Sequence, residues 1–174
     1  MTGFVGRLVR AARLDVNLYE EVEADKGALV QAMGAVVLSS IAAGIGSTEV
    51  GGLGGILVGT IMALAAWYVW AYLTYFIGTK LLPEPQTRAD AGELLRTIGF
   101  ASSPGIIRAL GIFPGLSGPI FLVASIWMLV AMVIAVRQAL DYRSTWRAIG
   151  VCVVGWIAQV LILALLFGFL GSPS

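Results

Sequence analysis

Few residues in this chain could do chemistry, and their placement narrows that chemistry further. Its 174 residues include no histidine and one cysteine, Cys152, which leaves no imidazole base, no His-ligated metal, no thiolate zinc site and no disulfide framework. Ten acidic residues remain. Five of them (Asp15, Glu20, Glu21, Glu23 and Asp25) precede residue 27, and Glu49, Glu84, Asp90, Glu93 and Asp141 fall between or at the edges of the apolar runs. No serine sits in a G-x-S-x-G turn, and without histidine none could be activated that way. The glycines never complete G-x-G-x-x-G, and neither lysine, Lys26 or Lys80, follows a glycine as a Walker A loop requires. An intramembrane enzyme is therefore the weakest of the functions considered, with no catalytic residue, cofactor or metal ligand expected. What remains is polarity inside apolar surroundings: Gln31, Gln159, and Arg96 and Arg108 on either side of Ser102-Ser103-Pro104. A mid-helix proline frees a carbonyl that neighbouring hydroxyls can re-satisfy. Such broken helices flank cavities in transporters, or simply bend a helix around its neighbours. Arg108 either snorkels to a boundary or takes a buried pairing or functional role.

The elements that must position these groups follow from composition and charge. Apolar residues make up 59% of the chain and charged residues 12%, with a mean hydropathy of +0.92. A soluble domain of this length cannot cover so much apolar surface, so lipid is the solvent for most of it. A net charge of +1 excludes an electrostatic nucleic-acid binder. Uncharged runs separate the charge clusters: Gly27 to Thr48, Val50 to Thr79, Ala109 to Val136 and Ala148 to Ser174. Each has room for one crossing of about 20 residues and none for two. These runs place spans near 28–46, 54–77, 117–136 and 149–170. The stretch 94–113 is ambiguous by hydropathy, and the positive-inside rule decides for it. With five spans and the N-terminus inside, ten of the eleven Lys and Arg residues lie on the cytoplasmic side and only Arg108 leans outward. The expected fold is an all-α integral membrane protein. It comprises a cytoplasmic head over 1–26 and a five-helix bundle over 27–172, in the cell membrane with the C-terminus outside. No signal peptide is expected, and the first span serves as its own anchor.

Residues 4–13 read as an amphipathic helix, with Phe4, Val5, Leu8, Val9, Ala11 and Ala12 on one arc and Arg7, Arg10 and Arg13 opposite. Such a helix suits the anionic headgroup layer. The acidic stretch that follows stands off the membrane or pairs with arginines. Gly51, Gly55 and Gly59 repeat at four-residue spacing, a pattern that permits close helix approach within the bundle or across a dimer face. Trp67 and Trp70 lie too deep for interfacial anchors and are expected to pack between helices.

Three strings carry a family resemblance: Tyr19-Glu20-Glu21-Val22, Leu94-Leu95-Arg96-Thr97-Ile98-Gly99-Phe100-Ala101-Ser102-Ser103-Pro104, and Trp127 followed by Ala135-Val136-Arg137-Gln138-Ala139-Leu140. In these and in its order of elements the chain resembles the prokaryotic branch of the Yip domain family, from about residue 15 to 165. The resemblance implies five spans. Eukaryotic relatives bind Rab-type GTPases in vesicle trafficking, through a family that offers no established catalytic residues. Arg96, Gly99 and Pro104 match its R-x-x-G-[FY]-A-x-x-P string and are expected to be structural. The candidate structural or functional residues are Glu20, Glu21, Arg96, Gly99, Pro104, Arg108, Arg137 and Gln138. The expected function is a non-enzymatic scaffold or adaptor, with the lipid bilayer, a protein on the cytoplasmic face and further copies of the chain as partners. The alternative is a small oligomeric transporter or lipid-handling protein that uses the proline-broken third span.

Overall fold

The computed structural model describes residues 3–47 and 52–170, so Glu49 and Gly51 lie outside the described residues. Every regular element described is helical: α1 (Phe4–Ala12), α2 (Val16–Ala24), α3 (Ala28–Gly46), α4 (Gly52–Phe76), α5 (Ala91–Ala101), α6 (Ser117–Ala139) and α7 (Thr145–Leu170). A π-type turn, Ile77–Leu81, prolongs α4, and a 3₁₀ helix, Ser103–Ile112, prolongs α5. Four helices are long and apolar enough to cross a membrane: Ala28–Gly46, Gly52–Leu81, Ser117–Ala139 and Thr145–Ile162. They match four of the expected spans. The fifth expected span, 94–113, is instead α5 and the 3₁₀ helix end to end. At about 1.5 and 2.0 Å per residue, those two pieces together extend about 36 Å.

The break has a local cause. Pro104 opens the 3₁₀ helix and cannot donate to Phe100, and the Ser103 hydroxyl donates to the Phe100 carbonyl at 2.7 Å instead. Ser102 serves the Gly99 carbonyl in the same way at 2.6 Å. The start of α5 is fixed by a capping box, in which Asp90 accepts from the Glu93 amide and Glu93 from the Asp90 amide.

The composite third segment runs parallel to α3 along its length. Gly99 lies against Ala32, Gly105 against Ser39 and Gly111 against Gly46. A Cβ on Gly99 would stand 2.7 Å from that of Ala32, and one on Gly46 would overlap the Arg108 carbonyl. The facing surface of α3 is a seam of buried small residues, Ala28, Ala32, Ala35, Ser39, Ala42 and Gly46, spaced alternately four and three apart. Close approach through small residues is how helices adhere where lipid removes the hydrophobic drive between them. The 3₁₀ period of three stacks Gly105, Arg108 and Gly111 on one face.

The head shares the bundle's core. Leu8, Ala11, Leu18, Tyr19 and Val22 are buried in one continuous cluster with α3, α5 and α6. The apolar arc of α1 is covered by protein: the Phe4 ring packs on Gly34, and Leu8 and Ala11 are buried, while Val5 and Val9 remain exposed.

Candidate functional site

Two regions hold the polar groups that structure alone does not consume. The first is the end of the bundle that carries the head. Arg7, expected on a headgroup-facing arc, is buried. Its guanidinium donates to Glu21 at 2.9 Å, to Asp25 at 2.8 Å and to Gln31 at 3.0 Å. Arg10 bridges Asp15 and Glu21. Burial opposes the charge on Arg7, but the bonds to Asp25 and Glu21 outweigh it and hold the group above its ordinary value. The Arg10 bond conversely holds Glu21 below the usual carboxylate range, against the effect of burial. The acidic segment that follows thus captures Arg7 and Arg10, two of the three arginines that periodicity alone assigns to lipid, while Arg13 stays exposed.

Arg96, also buried, donates to the carbonyls of Val22 and Glu23 rather than to the Glu93 or Glu20 carboxylates. It therefore caps the final turn of α2, where the helix dipole favours a cation. Glu20 and Gln138, singled out in separate strings, meet at 2.9 Å and tie α2 to α6. Arg137 turns back on the carbonyls of Tyr142 and Arg143 and closes the end of its own helix.

These contacts frame a polar recess of about 560 Å³ walled by Glu20, Glu23, Glu93, Asp141, Arg137 and Arg143. Burial, reinforced by the Glu93 and Asp141 charges, pushes the Glu23 carboxyl up to about 7. Among the described residues, no group of three or more His, Cys, Asp or Glu is arranged to hold a metal ion. Beside the recess a second knot forms that the sequence strings do not mark. Glu84 accepts from the Arg143 amide and pairs with Arg147, and the Tyr142 hydroxyl donates to the Gly78 and Leu82 carbonyls. The only local signal for it is the rigid Pro83-Glu84-Pro85 turn.

The second region lies inside the bundle. A cavity of about 690 Å³ opens between α3, α4, the 3₁₀ segment, α6 and α7, where Ser39, Ser102, Arg108 and Gln159 meet Trp67 and Trp70. A second cavity, of about 870 Å³, runs between α6 and α7 and shares Arg108, Trp70 and Trp156 with the first. Arg108 Nη2 donates to Ser125 at 3.0 Å, and the guanidinium lies 5.4 Å from the centroid of the Phe121 ring. Ser125 is eight residues along α6 from Ser117, about 12 Å at 1.5 Å per residue. Arg108 therefore faces a cavity and a helix partner. Trp67 is buried and donates to the Leu95 carbonyl at 3.1 Å.

The family whose description matches this chain is the Yip1 domain, over residues 22–167. No curated protein and no solved structure matches it.

Proposed function

The chain belongs to the Yip1 domain family, and we propose that this multi-pass membrane protein is a non-enzymatic scaffold that recruits a protein partner through its cytoplasmic face. We place it in the prokaryotic branch and in the cell membrane. The composite α5–3₁₀ segment makes the fifth crossing, so that the head and the loops at 82–90 and 140–144 share the cytoplasmic side. The parallel run beside α3 and a length of about 36 Å, against a hydrocarbon core of about 30 Å, support that crossing.

The observation that carries the reading is the construction of the head end. Arg7, Arg96 and the Glu20–Gln138 bond fix α1 and α2 on the bundle, so the charged recess around Glu93 and Arg143 is built rather than left to a mobile tail. Arg143 is exposed, and its side chain is free for a partner. A photoactivatable cross-linker at Glu93 is expected to give a discrete protein adduct in cells, and one at the lipid-facing Leu129 is not. Arg143→Glu should abolish the Glu93 adduct while the protein stays in the membrane. An adduct insensitive to Arg143→Glu, or none at all, contradicts the reading.

The cavity at Arg108 favours a second reading, a small oligomeric lipid-handling protein or transporter. In that case Ser39, Ser102, Arg108 and Gln159 line the path and the 3₁₀ segment is the element that moves.

A further inference from the structure

From the two cavities that meet at Arg108, we infer that the bundle holds a net-anionic phospholipid, with its phosphodiester on Arg108 and its acyl chains in the groove between α6 and α7. The site goes beyond the scaffold reading, and a lipid that stays and a lipid that is carried would both occupy it.

Donors left unsatisfied mark the headgroup position. Arg108 Nε and Trp70 Nε1 are buried without a hydrogen-bond partner, and both residues line both cavities. An unpaired buried donor costs free energy comparable to a lost hydrogen bond, more when charged. Two unpaired N–H donors on residues that line both cavities call for a ligand that accepts, and a phosphodiester oxygen beside a guanidinium supplies the strongest common pairing.

Charge then selects the lipid class. Among the described residues no carboxylate pairs with Arg108, and neither cavity has an Asp or Glu in its lining. A zwitterionic headgroup would bring an ammonium with no counter-charge to meet it, whereas a net-anionic headgroup neutralises Arg108 and adds nothing unpaired.

The groove accounts for the chains. Leu129, Val130 and Val153 line it and are exposed on the outer surface of the bundle, so the cavity opens sideways toward lipid. Its volume, about 870 Å³, lies within the range of ligand pockets, roughly 300–1,000 Å³.

The test uses the full chain reconstituted in nanodiscs of equal phosphatidylglycerol and phosphatidylcholine, then released for native mass spectrometry. The wild type should retain phosphatidylglycerol in preference to phosphatidylcholine. Arg108→Gln should weaken that retention about 10- to 100-fold, the loss of charge-assisted hydrogen bonds. Arg88→Gln, at an exposed loop residue that lines neither cavity, should not change it. Should Arg108→Gln fail to fold, Val153→Trp, which fills the groove from its exposed side, should displace the lipid while leaving Arg108 in place. Equal retention of both lipids by the wild type overturns the proposal, as does undiminished retention in Arg108→Gln or Val153→Trp. Displacement of the lipid by excess inorganic phosphate also overturns it, since the site would then be one for a small anion.

Discussion

Glu23 has a carboxyl held up to about 7 by its burial and by the neighbouring Glu93, Asp141 and Glu20, with Arg96 only partly offsetting them. The other charged groups of the recess, Arg137 and Arg143, come from the far wall. Because the folded state binds this proton more tightly than the unfolded chain does, its contribution to stability falls as pH rises from the ordinary carboxylate value of 4.5 to about 7, and then levels off. Asp15, Glu21 and Asp25 are shifted the opposite way, so their contribution is present above the carboxylate range and lost in acid. Glu23→Gln should therefore flatten the neutral limb of a stability–pH curve measured in detergent and leave the acid limb in place. A neutral limb that is unchanged in the variant would show that another group titrates there. At this scale the sequence is only partly informative. The arginine arc of α1 is legible, but its partners lie up to 24 residues away, on and around α2 and on α3, and periodicity identifies a face without identifying what covers it. The serine bond that repairs the break at Pro104 can be read directly, because a hydroxyl next to a proline is within reach of the freed carbonyl.

Among the elements, the pairing of α3 with the α5–3₁₀ segment sets the tolerance for side chains. A Cβ on Gly46 meets the backbone carbonyl of Arg108, which no rotamer change can move, whereas one on Gly54 meets nothing within 4 Å. Gly46→Ala should cost about 2–3 kcal/mol by overpacking. Gly54→Ala should be neutral or gain up to about 1 kcal/mol from helix propensity. Thermal unfolding of the two variants side by side checks both, and equal effects would show that the 3₁₀ segment does not press on α3. The seam at Ala28, Ala32, Ala35, Ser39, Ala42 and Gly46 is present in the sequence as an alternating four–three spacing of small residues. The glycines that follow are denser in the sequence, yet Gly54 and Gly59 among them have open space around them. The 3₁₀ form of residues 103–112 is not legible. Hydropathy and proline announce a break there, but the tighter helix is set by tertiary contact with Ser39 and Gly46.

For the molecule as a whole, the charge-delimited apolar runs carry most of the architecture, since a membrane leaves little freedom in where a helix begins and ends. The cavities at Arg108 are not legible in this way, because they depend on how far α6 and α7 stand apart, and no local pattern sets that distance. The scaffold reading depends on one global property: the head, the loop at 82–90 and the loop at 140–144 must face the same side, which requires the α5–3₁₀ segment to cross. Ten of eleven basic residues then lie in the cytoplasm, as the positive-inside rule favours. Compartment-sensitive reporters fused within residues 84–90 and after Ser174 measure this directly. A cytoplasmic signal is expected from the first and an extracytoplasmic signal from the second; the same side for both would contradict the fifth crossing and, with it, the shared cytoplasmic face.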